Sequence, residues 1–385
     1  MGHRAPILVA SLAALAVVLG GCDLGSGGSD RSDNAAEPPF ATAEWRTDFA
    51  EHSLPLEEFQ SGGPPKDGIP AIDRPRFVST GEADRFLAEL EPVAVLELGG
   101  AARAYPLQIL VWHEIVNDEI DGRPVAVTYC PLCNSTVAFS REVDRRTLDF
   151  GTTGMLRNSD LVMYDRQTES WWQQLTADAV VGELTGTKLR VLPSQILSWS
   201  EFRRLHPDGE VLSRDTDVSR PYGRNPYTAY DQPDTQPFLF SGEADDSLPP
   251  KERVAAVTTP DGEAVVYPFE RLAAEAPVND SIDGRPIVVL FDPDVASALD
   301  ASSIASGREV GAAAVFERTV GGRTLTFETS AGSGEVRDRE TGSTWDLSGR
   351  ATGGPLAGER LRQVPHDDQF WFALAAFYEH PDIRD

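Results

Sequence analysis

Residues 104 to 131, AYPLQILVWHEIVNDEIDGRPVAVTYCP, align without a gap against residues 266 to 293, VYPFERLAAEAPVNDSIDGRPIVVLFDP. The match resumes where VDRRTLDF (143 to 150) faces VGGRTLTF (320 to 327), YDRQTESWW (164 to 172) faces RDRETGSTW (337 to 345), and HPD at 206 recurs at 380. Two stretches that share one pattern of apolar and turn residues are expected to share one fold. The sequence therefore divides into a first module over 61 to 210 and a second over 252 to 385. The connection between them, 211 to 251, is rich in Pro, Asp, Gly and Tyr and reads as irregular.

Inside a module, PVAVLEL, RPVAVTY, TVAFSREV and DLVMYD carry the β-branched, alternating pattern of short strands, and IDGRP reads as a hairpin turn. Helical spacing is confined to YPLQILVWHEIV and to PSQILSWSEFRRLHP, the latter with Ser194 as expected cap and Pro207 as stop. The fold class that follows is α+β: two homologous, mainly antiparallel β modules with short helices, arising by internal duplication.

The chain opens MGHRAPILVASLAALAVVLGGC, where an apolar run too short to span a bilayer follows His3 and Arg4 and closes on small residues. Residues 1 to 21 read as a lipoprotein signal peptide and Cys22 as the lipidated first residue of the mature chain. The Gly, Ser and Asp that follow open a flexible tether, assigned to residues 22 to 60. The expected place is the extracytoplasmic side of the cell envelope, attached to the membrane through Cys22. A net charge of −27, with Lys66, Lys188 and Lys251 as the only lysines, argues against nucleic acid as a partner.

Residues common to both modules read as structural: Asn117-Asp118, Gly122-Arg123-Pro124, Asp165, Thr168, Ser170 and Trp172 all recur. His113 instead faces Glu275, Cys130 faces Asp292 and Cys133 faces Val295, so the second module lacks the histidine and both cysteines together. A mere disulfide staple gives no reason for His113 to be missing too. Two thiolates and an imidazole are a ligand set for tetrahedral zinc or for copper, with C-x-x-C spacing bringing both sulfurs to one ion. A thiol-based redox site remains the alternative. It is disfavoured because CNSTVAFSREV continues as strand, without a helix N-terminus to lower the thiol pKa. A zinc deaminase signature is also a poor fit, since His113 and Glu114 are adjacent and no proline precedes Cys130.

Glu114, Arg157 and Asp160 are candidate catalytic residues, and Asn158, Tyr164, Gln173 and Gln174 could line a cleft beside the cysteines. Arg224, Asn225 and Tyr227, in YGRNPYTAY of the connection, are placed to fold over that cleft.

The stretches PPKDGIPAID, YPLQILVWHEIVND, VTYCPLCNSTVAF, LRNSDLVMYDRQTESWWQQ, YGRNPY and LPPKERV resemble the bacterial and archaeal domain-of-unknown-function family 3179 over nearly the whole mature chain. The resemblance maps the family's motif residues onto His113, Glu114, Cys130 and Cys133, from which the second module departs, and it implies no particular activity. Two function classes stay open: binding or delivery of zinc or copper, and an enzyme using the metal or a thiolate on a small-molecule substrate. Changing Cys22→Ser is expected to release the protein from the membrane fraction while the globular part stays folded, because no core residue lies near the anchor. Unchanged fractionation of that variant overturns the lipoprotein reading.

Overall fold

Valine-rich runs punctuated by Gly and Asp become antiparallel strands, as their pattern requires. The computed structural model describes residues 38 to 384 apart from 244, 260 and 331 to 333, so the signal peptide expected over residues 1 to 21 and Cys22 lie outside the described residues. β1 (Pro92–Leu98) and β2 (Ala101–Pro106) pair from Val93↔Pro106 to Leu98↔Ala101. The turn between them falls on Gly99 and Gly100, whose φ of 63° and 93° suit residues without a Cβ. The chain continues through α1 (Leu107–His113), β3 (Ile115–Ile120), β4 (Arg123–Cys130) and β5 (Ser135–Ser140). After these come β6 (Phe150–Arg157), β7 (Asp160–Asp165), β8 (Trp171–Gln173) and β9 (Ala179–Val181). β10 (Val191–Leu192), β11 (Gln195–Ser198), α2 (Trp199–Leu205) and β12 (Glu210–Leu212) close the first half.

The three larger sheets of this half are ordered β11-β1-β2-β12, β10-β5-β4-β3 and β6-β7-β8-β9, beside a two-stranded ribbon of Glu142–Val143 with Arg146–Thr147. The short strands Phe77–Ser79 and Gln60–Ser61 extend the first and third at their edges. All these pairs are antiparallel except β12 on β2.

The second half runs through β13 (Arg253–Thr258), β14 (Ala264–Pro268), α3 (Phe269–Glu275), β15 (Val278–Ile282), β16 (Arg285–Asp292) and β17 (Ala312–Glu317). It ends through β18 (Phe327–Thr329), β19 (Val336–Asp338), β20 (Thr344–Trp345), β21 (Ala351–Gly353), β22 (Arg362–Gln363), β23 (Asp367–Phe370), α4 (Trp371–Ala375) and β24 (Asp382–Ile383). Its sheets are ordered β23-β13-β14-β24, β22-β17-β16-β15 and β18-β19-β20-β21, with β24 again parallel to its neighbour.

Side-chain bonding recurs with the strand order. Trp172 Nε1 donates to Asp165 Oδ2 at 3.0 Å and Trp345 Nε1 to Asp338 Oδ2 at 2.9 Å, each aspartate also accepting from the N–H of Thr168 or Thr341 at 2.6 Å. Asn117 and Asn279 each brace a strand by donating to the carbonyl of Phe150 or Phe327 at 2.8 Å. These bonds explain why such residues stand in both stretches.

Residues 38 to 385 form one compact unit, with Leu299, Phe370, Phe372 and Ala373 sharing a core with Cys130, Cys133, Phe139, Met163 and Trp172. The connection contains no helix or strand between Leu212 and Arg253 among the described residues.

Two expectations need correction. The tether does not extend to residue 60: Phe40, Trp45 and Phe49 stand 5.1 to 5.2 Å from the Trp171 ring, and Leu56 and Phe59 are buried. Three aromatics within ten residues carry too much apolar surface to stay in water. The helix expected from Ser194 begins later, because Gln195–Ser198 takes the open edge of β1 as β11. Its cap is Ser198, which accepts from the Glu201 N–H at 3.4 Å.

Since Trp172 and Trp345 both plug a core while bonded to a buried aspartate, Trp172→Ala and Trp345→Ala are each expected to cost about 3 to 5 kcal/mol. Thermal or denaturant melting checks this, and a loss confined to one of the pair counts against their equivalence.

Candidate metal centre

β4 and β5 stay paired up to Cys130↔Ser135, so the chain reverses tightly through Pro131 to Asn134. Asn134 carries a φ of 53°, a left-handed conformation that asparagine tolerates well. This reversal leaves Cys130 at the strand end and Cys133 inside the turn, both free and 2% and 0% exposed. A second reversal, at Asn158 and Ser159 with φ of 50° and 68°, joins β6 to β7 and delivers Asp160 to the same place. Donor atoms of Cys130, Cys133 and Asp160 lie within 4.8 Å of one another.

Asp160 is held by one oxygen only. Its Oδ2 accepts from Gln173 Nε2 at 2.6 Å and from the Leu175 N–H at 3.0 Å, while Oδ1 is buried without a partner. A buried carboxylate oxygen with only weak thiol donors beside it is poorly satisfied, and an ion would satisfy it better. Gln174 braces the hairpin from below, donating to Thr128 Oγ1 at 3.0 Å and accepting from Ser135 Oγ at 3.3 Å.

The electrostatics point the same way. Burial pushes both thiols above their ordinary range, Cys133 furthest, and lifts Asp160 to about 6. Glu114 rises to about 8, from burial first and from the Asp160 charge second. Asp367, in β23, rises to about 7 for the same two kinds of reason. None of Cys130, Cys133, Asp160 and Glu114 is hydrogen-bonded to a Lys or Arg among the described residues. A divalent cation would reverse this situation, since it favours the deprotonated form of every donor around it. The residues therefore fit a metal, with two soft sulfurs and one hard oxygen as its donors.

His113 does not join them. It ends α1 with Nδ1 donating to the Pro70 carbonyl at 2.7 Å and Nε2 accepting from the Tyr222 hydroxyl at 2.6 Å, so both ring nitrogens are spent. The residue that stands with the two cysteines is Asp160, in the place expected of the histidine. Glu114 follows at once with φ 58° and ψ −31°, a strained conformation that breaks the helix and turns its carboxyl inward, leaving the residue 7% exposed.

Arg157 is not at the centre either, because its Nε is bonded to Glu58 at 2.6 Å and its guanidinium lies 5.1 Å from the Phe377 ring. Asn158 accepts from Ser241 Oγ at 3.4 Å, and Tyr164 donates to Asp67 Oδ2 at 2.5 Å, packed with Trp45 and Trp171. In the connection, the Arg224 carbonyl accepts from Trp112 Nε1 at 3.2 Å. Asn225 donates to the Ala301 carbonyl at 3.1 Å.

Tyr227 packs against the cysteine core, close enough that Glu114 and Cys130 both push its hydroxyl pKa up after burial has done so. The sequence reading missed Tyr230, near both thiols, and Asp367. The pair Asp367-Asp368 ahead of the apolar run QFWFALAAF was the available signal for the latter.

A family model described as "Protein of unknown function (DUF3179)" matches residues 66–382. No curated protein and no solved structure matches the chain.

The raised carboxyls fix a pH dependence. A carboxyl that binds its proton more tightly in the folded chain keeps it where the unfolded chain has released it. The contribution of these carboxyls to the stability of the metal-free protein should therefore fall as pH rises from about 4.5 to about 8. The change Glu114→Gln should flatten the upper part of that decline, read as melting temperature against pH. Parallel curves for the two proteins would count against the buried carboxyl.

Proposed function

This chain belongs to the DUF3179 family, and we propose that it holds one divalent transition metal, zinc in preference to copper, on Cys130, Cys133 and Asp160. The observation that carries this reading is the convergence of three buried donors within 4.8 Å, among them a carboxylate oxygen of Asp160 that, among the described residues, has only the two thiols to turn to. Two thiolates suit copper as well as zinc, but a hard carboxylate as third donor favours borderline zinc over soft Cu(I).

Three protein ligands leave a coordination position open, and zinc bound so supplies Lewis acidity. Glu114, buried beside this set and without a hydrogen bond from its carboxyl among the described residues, is the group suited to hold or pass a proton. The near-complete burial of all three donors favours a retained metal over a delivery protein that must give its ion away, and the open position beside Glu114 favours an enzyme over a purely structural ion. A thiol redox centre has less support. Cys130 ends a strand where no helix dipole acts on it, and burial raises both thiols.

The recurrence of strand order and side-chain bonds supports the further reading that the second half is a duplicated copy that never kept, or has lost, the metal donors. The lipobox-like LGGC ending at Cys22 supports placement outside the cytoplasm, anchored by lipid.

Elemental analysis of protein purified without chelator or affinity histidines is expected to give about one zinc per chain. Cys130→Ser, Cys133→Ser and Asp160→Asn should each abolish it, whereas His113→Asn should keep it. Metal-free wild-type protein, or loss in His113→Asn with retention in Asp160→Asn, overturns the assignment.

A further inference from the structure

On the side of Glu114 lies a cavity of about 120 Å³, walled by Leu132, Leu156, Leu161, Tyr227 and Phe238 among others. Among the described residues its lining includes no Lys or Arg, and besides Glu114 the lining side chains with an oxygen or nitrogen are Thr152 and Tyr227. Thr152 is already committed, its Oγ1 donating to the Ile69 carbonyl at 2.8 Å. The Glu114 carboxyl and the Tyr227 hydroxyl make no hydrogen bond with any described residue. Tyr227 is set in place through its backbone, whose N–H donates to Asn225 Oδ1 at 2.7 Å. Phe238, the most exposed large apolar side chain among the described residues at 51%, stands at the wall and offers a way in.

An apolar chamber with two unspent polar groups is built to take an apolar body carrying one polar atom. A carboxylate or phosphate would be buried there without a cation, and an ammonium would lose its water to walls that are almost all hydrocarbon. The volume is somewhat below that of a cavity that takes benzene, about 150 Å³. We infer that this cavity is a binding site for a small uncharged molecule of a few heavy atoms, an alcohol, aldehyde or ketone, whose oxygen is gripped between Glu114 and Tyr227. The inference rests on the metal reading only in making this molecule the substrate; binding itself needs no metal.

The test uses three probes of one shape, isobutanol, isobutylammonium and isobutyrate, titrated by protein NMR into chelator-treated and zinc-loaded protein. Isobutanol should bind at least about tenfold more tightly than either ion, and Tyr227→Phe should weaken it about fivefold, the worth of one hydrogen bond. Leu156→Trp, which fills the chamber, should abolish binding while the melting transition persists. Equal or tighter binding of an ion, or isobutanol affinity untouched by Tyr227→Phe, overturns the inference even if Leu156→Trp fails to fold. Zinc retained with no isobutanol bound defeats the cavity alone. Isobutanol bound by a protein that takes up no zinc defeats the metal reading alone.

Discussion

The tight turn from Cys130 to Asn134 has to be buried, and a buried turn exposes backbone groups that its own sheet cannot satisfy. The partners come from β23, more than 230 residues away: the Phe370 N–H donates to the Cys133 carbonyl at 2.9 Å, and Asn134 Nδ2 to the Asp368 carbonyl at 3.1 Å. Asp367 Oδ1 completes the set by accepting from the Thr136 N–H at 2.8 Å. The two thiols can therefore be dry only when the second half is docked. A half without cysteines is still indispensable to the cysteine site, because it supplies its roof.

The connection is held down by charge burial on the same scale. Asp231, whose side chain is 0% exposed, is met by Arg253 at 3.1 Å and by Arg308 at 2.8 Å, and accepts from Ser297 Oγ. Lys251 is buried and donates to the Tyr230 carbonyl at 2.7 Å and to Thr235 Oγ1 at 2.9 Å, its ammonium 3.5 Å above the Tyr230 ring. Desolvation lowers it to about 8. Removing one member of such a set leaves an uncompensated buried charge, so the network fixes geometry more than it adds stability. What it fixes is the segment carrying Tyr227 and Tyr230 over the thiols, which gives an irregular stretch the precision that strands supply elsewhere.

Local pattern makes much of the architecture legible in the sequence. Strand pairs follow from alternation and Gly or Asp turns, and Asp165, Thr168 and Trp172 recur in the second half because each makes a bond that any copy of the fold needs. The cysteine pair was legible as a centre because two thiols three residues apart must share a neighbourhood. The register that faces Tyr164 with Arg337 also faces Asp160 with Ser333, so the third donor lacks a counterpart just as the cysteines do.

His113 shows where such reasoning stops. Its absence from the second half tracks Pro70 and Tyr222, which lie outside the repeated stretches and give the imidazole both of its bonds. By itself, then, the sequence determined the strand pairs, the recurring order and the two sulfurs, all set by contacts close along the chain or by period. The tertiary structure alone decided that Asp160 and not His113 gathers with the two cysteines, that β23 roofs the turn, and that Glu114 opens on a chamber. Each of these depends on which distant segment reaches a buried polar atom first, and no periodicity in a chain encodes that competition.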